Sequence, residues 1–215
     1  MTMLDAHFHL PFQEPAEGIL CTSREAEWDE ALRTTHGQVI PSLGLLPPCL
    51  DVDFARLEGL LAQKQEMQIG EVGLDRRFPD REGQLMVLRN FLSIARNTHR
   101  MVSLHVVGAD GLMLGILDGT VAALWHGFTG SVETAKAITG KGAVISLGPR
   151  VERTNLWNRL EEIKGLPFTV ESDLSASDRY RQALEAWYRK LATRLGWSVE
   201  QLEAHARASL ETLLT

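Results

Sequence analysis

The segment QIGEVGLDRRFPDREGQLMVLRNFLSIARNTHRMVSLHV, residues 68–106, predicts a strand, a helix and a second strand. Gln68–Leu74 and Met101–Val106 are short apolar runs of the kind that form buried strands. Arg81–Thr98, between them, has the apolar spacing of an amphipathic helix. Two strands joined through a helix are typical of a parallel sheet.

The same alternation extends from this segment to both ends of the chain. Eight strands are predicted, over Met3–Phe8, Gly18–Cys21, Val39–Leu45, Gln68–Leu74, Met101–Val106, Val121–Trp125, Ala143–Leu147 and Phe168–Glu171. Helices are predicted over Glu25–Thr34, Phe54–Gln65, Arg81–Thr98, Ser131–Gly140, Asn155–Lys164, Ala176–Leu195 and Ser198–Leu213. In the last of these, Ser198 and Gln201 form the capping-box pattern of a helix N-terminus.

This order of elements predicts an α/β fold, a (β/α)8 TIM-type barrel with an extra C-terminal helix. The chain has 215 residues, fewer than the roughly 250 typical of such barrels, so the connections must be lean. We expect residues 1–215 to form a single domain. The alternative is an open doubly wound sheet, which is disfavoured because no GxGxxG or GxxxxGK[ST] phosphate loop follows the first strand.

Composition limits the class of protein. Hydrophobic residues make up 44% of the chain and charged residues 23%, as in soluble globular proteins, and no apolar run approaches the roughly 20 residues of a membrane span. The start MTMLDAHFHL lacks the pattern of a secretory signal, and Cys21 and Cys49 are too few for a disulfide framework, so a cytoplasmic protein is expected. A monomer is the favoured oligomeric state. A net charge of −6 disfavours a module that binds nucleic acid through lysine and arginine alone, but is compatible with a metalloenzyme.

Histidines and carboxylates lie at the C-terminal ends of five predicted strands. His7 and His9 end the first strand, and they point to the same side because side chains alternate along a strand. Glu71 lies in an apolar run, where a carboxylate is costly unless it is paired or binds a cation. His105 and His126 end the fifth and sixth strands, and a further carboxylate, that of Asp173, ends the eighth.

Each of these residues also has an ordinary structural explanation. A His-x-His pair can arise by coincidence, and a strand-end histidine is often a hydrogen-bonded core residue. Glu71 could pair with Arg76 or Arg77, and Asp173 could cap a helix. Their common position favours a metal site, because the C-terminal ends of the strands converge in a closed barrel. The predicted metal ligands are His7, His9, Glu71, His105, His126 and Asp173. The other histidines, His36, His99 and His205, are interpreted as surface residues.

In this order and at these spacings, the motifs resemble those of the TatD-type metal-dependent hydrolases, within the superfamily of barrel metallohydrolases. The resemblance runs through nearly the whole chain. Asp5-Ala6-His7-Phe8-His9 is similar to the family's opening acidic-x-His-x-His, and Gly70–Asp75 to its Gly-Glu-x-Gly-Leu-Asp. His126–Ser131 is similar to His-x-Phe-x-Gly, and Glu171-Ser172-Asp173 to Glu-Thr-Asp.

The resemblance implies a site for two divalent cations. His7, His9 and Asp173 would hold one, His105 and His126 the other, and Glu71 would be shared. Known members are deoxyribonucleases or phosphodiesterases, which implies a nucleic-acid or nucleotide substrate. The chain departs from the family after the fifth strand, where His105-Val106-Val107-Gly108-Ala109 replaces His-x-Arg-x-Ala, and after the third, where Gly44-Leu45-Leu46-Pro47 replaces Gly-x-His-Pro.

The expected chemistry is hydrolysis by a water that two cations about 3.5–4 Å apart activate. Glu71 and Asp173 are the predicted catalytic residues, with Asp173 either accepting the proton of the water or orienting that water. Arg76, Arg77, Arg150 and Arg153 follow the fourth and seventh strands and are candidates for binding a substrate phosphate or carboxylate. Histidine and carboxylate ligands without cysteine suit Zn, Mn, Co or Ni more than a dedicated Mg site, although Mg is compatible with them.

Two other functions stay open at the level of the sequence. One is hydrolysis of an amide, ester or lactone, which the missing arginine after the fifth strand favours. The other is a metal-binding protein without catalysis, which the complete ligand set disfavours because binding alone does not require a pair of cations that activates water.

Overall fold

The computed structural model describes residues 3–11, 16–34, 37–176 and 179–215. Within these residues, eight strands form one parallel sheet in which each strand pairs with the next in the chain. The strands are β1 (Leu4–Phe8), β2 (Glu17–Cys21), β3 (Val39–Leu45), β4 (Gln68–Asp75), β5 (Val102–Val107), β6 (Ala123–Trp125), β7 (Val144–Leu147) and β8 (Phe168–Val170). Each predicted strand end lies within two residues of the observed one.

The sheet closes through the segment that follows β8. The backbone N–H of Asp173 donates to the carbonyl of His7 (3.0 Å), and that of His9 donates to the carbonyl of Leu174 (2.8 Å). Ala176 N–H donates to the carbonyl of His9 (3.2 Å), completing the ladder. The predicted (β/α)8 TIM-type barrel is therefore confirmed, and its closure brings the two ends of the barrel sequence together.

Helices cover the outside of the barrel. They are α1 (Trp28–Thr34), α2 (Phe54–Gln63), α3 (Arg81–Thr98), α4 (Asp110–Ile116), α5 (Val132–Thr139), α6 (Asn155–Asn158), α7 (Tyr180–Leu195) and α8 (Val199–Leu214). Within the described ranges, three 3-10 turns supplement them, at Glu25–Glu27, Pro149–Arg153 and Leu160–Ile163. None of the helices in the described ranges is both long and apolar enough to cross a membrane.

The helix predictions were wrong in three places. The predicted helix Asn155–Lys164 divides at Arg159 into α6 and a 3-10 turn, and the one predicted from Ala176 begins at Tyr180. The sequence prediction missed α4, whose seven residues include two glycines and are too short to give a clear amphipathic pattern.

The last helix closes the end of the barrel at which the strands begin. Arg207 on α8 forms an ion pair with Glu17 at the start of β2. The N-terminus of α8 has the predicted capping box: Ser198 Oγ accepts from Gln201 N (3.2 Å), and Ser198 N donates to Gln201 Oε1 (2.8 Å). This helix thus stabilises the barrel end opposite to the one where the strands finish.

The histidines outside the predicted metal site differ from one another. His99 is exposed, as predicted, and ends α3 in a left-handed conformation with φ 53°. His205 is half-buried, which corrects the surface prediction: its ring packs against Phe168 and Trp197, because α8 lies across the start of β8. His36 lies outside the described residues.

Candidate metal centre

One oxygen of Glu71 faces two imidazoles at the ends of β5 and β6. Glu71 Oε1 lies 2.5 Å from His105 Nδ1 and 2.7 Å from His126 Nε2. The two ring nitrogens are themselves 3.3 Å apart. One carboxylate oxygen and two imidazole nitrogens therefore point at a common volume.

The second oxygen of Glu71 faces the pair of imidazoles from the end of β1. Glu71 Oε2 lies 3.4 Å from His7 Nε2 and 3.7 Å from His9 Nε2, and these nitrogens are 3.2 Å apart. Asp173 Oδ1 lies 3.2 Å from His9 Nε2 on the same side. The two oxygens of one carboxylate thus serve two separate groups of ligand atoms.

The other ring nitrogen of each imidazole faces a further polar atom, and in three of the four histidines this contact is a hydrogen bond. Such outer contacts set which nitrogen of a histidine is available to a metal. They are His7 Nδ1 with Ser103 Oγ (3.0 Å), His9 Nδ1 with Cys21 O (3.0 Å), His105 Nε2 with Asp75 Oδ2 (3.2 Å) and His126 Nδ1 with Glu171 Oε1 (3.5 Å). The first three are hydrogen bonds, whereas the last is an ion pair that is too long for a good hydrogen bond.

An irregularity in β4 gives Glu71 its position. The pairing of β4 with both neighbouring strands shifts register around Gly70 and Glu71. Gly70 has φ 126°, and a Cβ there would lie 2.6 Å from the carbonyl oxygen of Ser103, so no other residue fits without displacing β5. A bulge of this kind redirects a side chain, and here it accompanies a carboxylate that is only 3% exposed.

The pKa values of Glu71, His126 and His7 are shifted by burial and by the charges that these side chains place next to one another. Burial alone would raise the pKa of Glu71, but the charges of His126 and His7 and the hydrogen bonds from His105 and His126 hold it well below its usual value. Burial would likewise lower the pKa of His126, and the carboxylates of Glu71 and Glu171 raise it well above the usual value instead. Burial and the charge of His126 lower the pKa of His7. The centre therefore needs positive charge to keep Glu71 ionised.

Asp173 lies at the rim of the centre, where it does not cap a helix. The helix that follows begins at Tyr180, so the helix-cap explanation for Asp173 is wrong. Its backbone is left-handed, with φ 56°, a conformation that aspartate tolerates better than most residues. Burial would raise the pKa of Asp173, but the hydrogen bond from His9 and the charges around it hold it below the usual range. Arg150 forms an ion pair with its other oxygen.

A second buried carboxylate holds the closing segment against β1. Asp5 accepts hydrogen bonds from the backbone N–H of His7 (3.2 Å), the backbone N–H of Ser172 (2.9 Å) and the hydroxyl of Tyr180 (2.9 Å). Burial raises the pKa of Asp5 to about 7 despite these bonds. Because Ser172 directly precedes Asp173, these hydrogen bonds place Asp173 beside the histidines of β1.

The ligand atoms fit a divalent transition metal. Three groups can each surround an ion with ligand atoms within 4.8 Å of one another: His7 with His9 and Glu71, Glu71 with His105 and His126, and His7 with His126 and Glu171. The pairs of imidazole nitrogens that lie 3.2 Å and 3.3 Å apart need a proton or a cation between them. Mixed imidazole and carboxylate ligands are those that Zn, Mn, Co and Ni accept.

The centre opens into a cavity of about 660 Å³, here called the central cavity. Of the four arginines predicted to contact substrate, Arg77 and Arg150 line it. Arg76 and Arg153 do not line the central cavity: Arg76 borders a neighbouring cavity, and Arg153 is exposed on the 3-10 turn after β7. Their contact with substrate stays a prediction. Arg24, from the loop after β2, lines the central cavity and was not predicted.

Comparison with known proteins agrees with this geometry. A model of the TatD related DNase family matches residues 4–215. The chain belongs to the TatD family of metal-dependent hydrolases. It is 29% identical over 108 residues to an uncharacterised metal-dependent hydrolase of Methanocaldococcus jannaschii. That alignment covers 50% of this chain and 43% of the relative, so the chain matches less than half of that protein's length.

Solved structures of TatD proteins share the fold. A TatD homologue of Escherichia coli superposes with a TM-score of 0.82 at 20% identity, over 98% of this chain and 97% of the other. A TatD-family hydrolase of Entamoeba histolytica gives a TM-score of 0.75 at 13% identity, over 97% of this chain and 84% of the other. At these identities the similarity concerns the barrel alone.

Sequence reasoning missed three contributors to this TatD-type centre. Ser103 lies two residues before His105 on the same face of β5, so alternation could have indicated it. Asp75 ends the same strand as Glu71, but nothing local shows that it contacts His105. Arg24 has no sequence signal, because only the curvature of the barrel brings the loop after β2 to the central cavity.

Proposed function

We propose that this TatD-family chain hydrolyses phosphodiesters with two divalent cations bound at the candidate metal centre. The observation that carries the proposal is the division of Glu71 between two imidazole pairs, His105 with His126 on Oε1 and His7 with His9 on Oε2. A carboxylate with one oxygen on each imidazole pair can be a ligand shared by two cations. When bound, such a pair supplies an activated water and stabilises charge on the attacked oxygen.

The remaining residues of the centre have separate roles in this proposal. Asp173 lies at the rim of the central cavity and its Oδ1 is the proposed acceptor of the proton of the water. Arg150 holds the other oxygen of Asp173 and so fixes the direction of the acceptor. The outer partners of the histidines keep the ring nitrogens directed at the two cation positions.

The arginine side chains on the wall of the central cavity support the proposal of an anionic substrate. Arg24, Arg77 and Arg150 come from the loops after β2, β4 and β7, so they surround the cavity from different directions. Their side chains are 71%, 65% and 67% exposed, which leaves the guanidinium groups accessible to a phosphate. These arginines provide local positive charge in a chain whose net charge is −6.

Metal analysis and a substrate panel test the proposal together. After chelation and reconstitution with Zn or Mn, we expect about two cations per chain. The panel contains a chromogenic phosphodiester, single-stranded DNA, N-acyl compounds and lactones, each with and without Mn, and the phosphodiesters should be cleaved only with metal.

Each other outcome selects a different function. Failure to bind metal would overturn the proposal as a whole. Cleavage of amides or lactones alone would assign the chain to the other hydrolase class, and metal binding with no turnover of any substrate would indicate a binding protein.

A further inference from the structure

A second cavity of about 440 Å³, here called the side cavity, lies next to the central cavity. It is formed by the loops after β4 and β5 and by the start of α3. Asp75 separates the two cavities: it borders the side cavity, while its carboxylate contacts His105 and Arg77 on the wall of the central cavity. Asp75 would therefore be the residue between a ligand in the side cavity and His105 of the candidate metal centre.

The side cavity contains two arginines, Arg76 and Arg81, whose charges are not neutralised. Neither guanidinium has a carboxylate partner within the part of the chain that the structure describes. In the central cavity, by contrast, Arg77 pairs with Asp75 and Arg150 pairs with Asp173. Both arginines line the same cavity, so an anion bound there would supply the counter-charge that each of them lacks.

Backbone geometry fixes Arg76 at the wall of the side cavity. Its N–H donates to the carbonyl of Val107 (3.0 Å), and its side-chain stem lies across Gly108. Gly108 has φ 64°, and a Cβ at this position would lie 2.2 Å from Cδ of Arg76. Because Gly108 has no side chain, Arg76 has room to reach the side cavity. Its neighbour Arg77 lines the central cavity instead.

The charge balance of the side cavity is positive. Its two carboxylates are Asp75 and Asp110. Asp75 already accepts three hydrogen bonds from the guanidinium of Arg77 and one from His105, so its charge is compensated. Among the described residues that line the side cavity, Asp110 in the first turn of α4 is then the one uncompensated carboxylate that opposes the charges of Arg76 and Arg81.

We propose that the side cavity binds a phosphate group through Arg76 and Arg81, and that this phosphate is the one adjacent to the bond cleaved at the metal centre. The second part, that the phosphate belongs to the substrate, rests on the proposed phosphodiesterase function. The first part, that the side cavity binds a phosphate, does not depend on that function. A free phosphate compound has the same chemistry, so two experiments separate the sources.

The first experiment compares KM for two substrates of the Mn-loaded protein: a dinucleotide with one phosphodiester, and the same dinucleotide with an additional terminal phosphate. We expect the additional phosphate to lower KM in the unmodified protein. Arg76→Gln and Arg81→Gln should each reduce this KM advantage by about 5- to 20-fold, as for loss of a charge-assisted hydrogen bond in a partly exposed site. Asp110→Asn should increase the advantage, because it removes the opposing charge.

Arg89→Gln is the matched control, since Arg89 is an exposed arginine on the same helix as Arg81 and borders neither cavity. It should leave the ratio of the two KM values as in the unmodified protein. Equal KM values for both substrates in the unmodified protein would overturn the assignment of the phosphate to the substrate. If Arg89→Gln reduced the KM advantage as much as Arg76→Gln and Arg81→Gln do, the effect would be one of general surface charge, and the site would be overturned.

The second experiment needs no hydrolysis. Inorganic phosphate is titrated into the metal-free protein while the Nε–Hε resonances of its arginines are followed by NMR. The resonances of Arg76 and Arg81 should shift together and saturate, and the resonance of Arg89 should not. Saturation without a KM advantage would assign the site to a free phosphate compound, and no response of Arg76 or Arg81 would overturn the site even if the protein proves to be a phosphodiesterase.

Discussion

Glu71 is the side chain on which the candidate metal centre depends most. It is almost completely buried, and its carboxylate contacts four imidazoles, those of His7, His9, His105 and His126. Burying a carboxylate without compensation is too costly for a stable protein. The imidazoles supply that compensation in the absence of metal, and cations would supply it when metal binds.

Replacement of Glu71 by glutamine keeps the shape of the side chain but removes its charge. We expect Glu71→Gln to lower kcat/KM by more than about 100-fold, because loss of a shared ligand should exceed the 10- to 100-fold effect of losing an outer partner. Circular dichroism should remain that of the unmodified protein. Glu58→Gln, at an exposed position of α2, is the control. An active Glu71→Gln variant would remove Glu71 from the catalytic site.

Asp75 acts on the centre through His105. Its Oδ2 accepts a hydrogen bond from His105 Nε2 (3.2 Å), which directs Nδ1 of the same ring towards Glu71. Burial would raise the pKa of Asp75, but its hydrogen bonds with Arg77 and His105 lower it to about 2, so the carboxylate is charged at neutral pH. Asp75 is therefore a positioning residue that connects the centre with the wall of the central cavity.

Asp75→Asn should weaken metal binding by about 10- to 100-fold, the usual consequence of losing a partner of a ligating histidine. Affinity would be measured by competition with a chelator of known strength. Asp118→Asn, an exposed aspartate in the loop between α4 and β6, should leave the affinity unchanged. If Asp75→Asn also leaves it unchanged, Asp75 serves only to hold Arg77.

The two ends of the barrel differ in function: one carries the candidate ligands and the other is packed by α8. The ends at which strands finish provide the histidines and carboxylates, as in other TIM-type barrels. The opposite ends are packed by α8, through Leu202, Ala206 and Leu210, and by the hydrogen bond from Tyr188 to the carbonyl of Leu4 (2.7 Å). Changes in α8 should therefore alter stability and leave the chemistry alone.

The capping box of α8 allows that separation to be tested. Ser198→Ala should lower the free energy of unfolding by about 1 kcal/mol, whereas Ser198→Gly should lower it by only a few tenths, because glycine is tolerated at a helix N-cap. Urea denaturation measures both effects, and kcat/KM should be the same in both variants as in the unmodified protein. A loss of activity larger than the loss of folded protein would show that α8 influences the metal centre.

The barrel as a whole depends on segments that are distant in the sequence. The groups of candidate ligands run from His7 to Glu171, Asp173 lies beside His9, and the closing hydrogen bonds join β1 to the segment after β8. The unfolded chain does not hold these side chains together, so metal should bind the folded state in preference. Binding energy then adds directly to the free energy of unfolding.

At a free Mn concentration 100 times the dissociation constant, we expect stabilisation of about 2.7 kcal/mol for a single site. Urea denaturation with Mn, compared with denaturation in a chelator, measures it. The Glu71→Gln variant should lose most of the difference. An unchanged unfolding midpoint in a protein that demonstrably binds Mn would indicate that the metal binds the unfolded chain equally well.

The sequence determined the features that depend on neighbouring residues. The strands and most helices follow from the spacing of apolar residues over one segment, and the capping box of α8 follows from Ser198 and Gln201. The convergence of His7, Glu71, His105 and His126 also followed from the sequence, because the C-terminal ends of parallel strands in a closed barrel face one opening.

Only the tertiary structure decided which side chains meet across those ends. The pairing of Arg150 with Asp173, and that of Asp75 with His105, joins residues from different loops, and no local pattern records such contacts. Arg76 and Arg77 are adjacent in the sequence and equal in charge, yet they border different cavities. Their directions depend on the open space above Gly108 and on the carboxylate of Asp75, which the fold alone brings beside them.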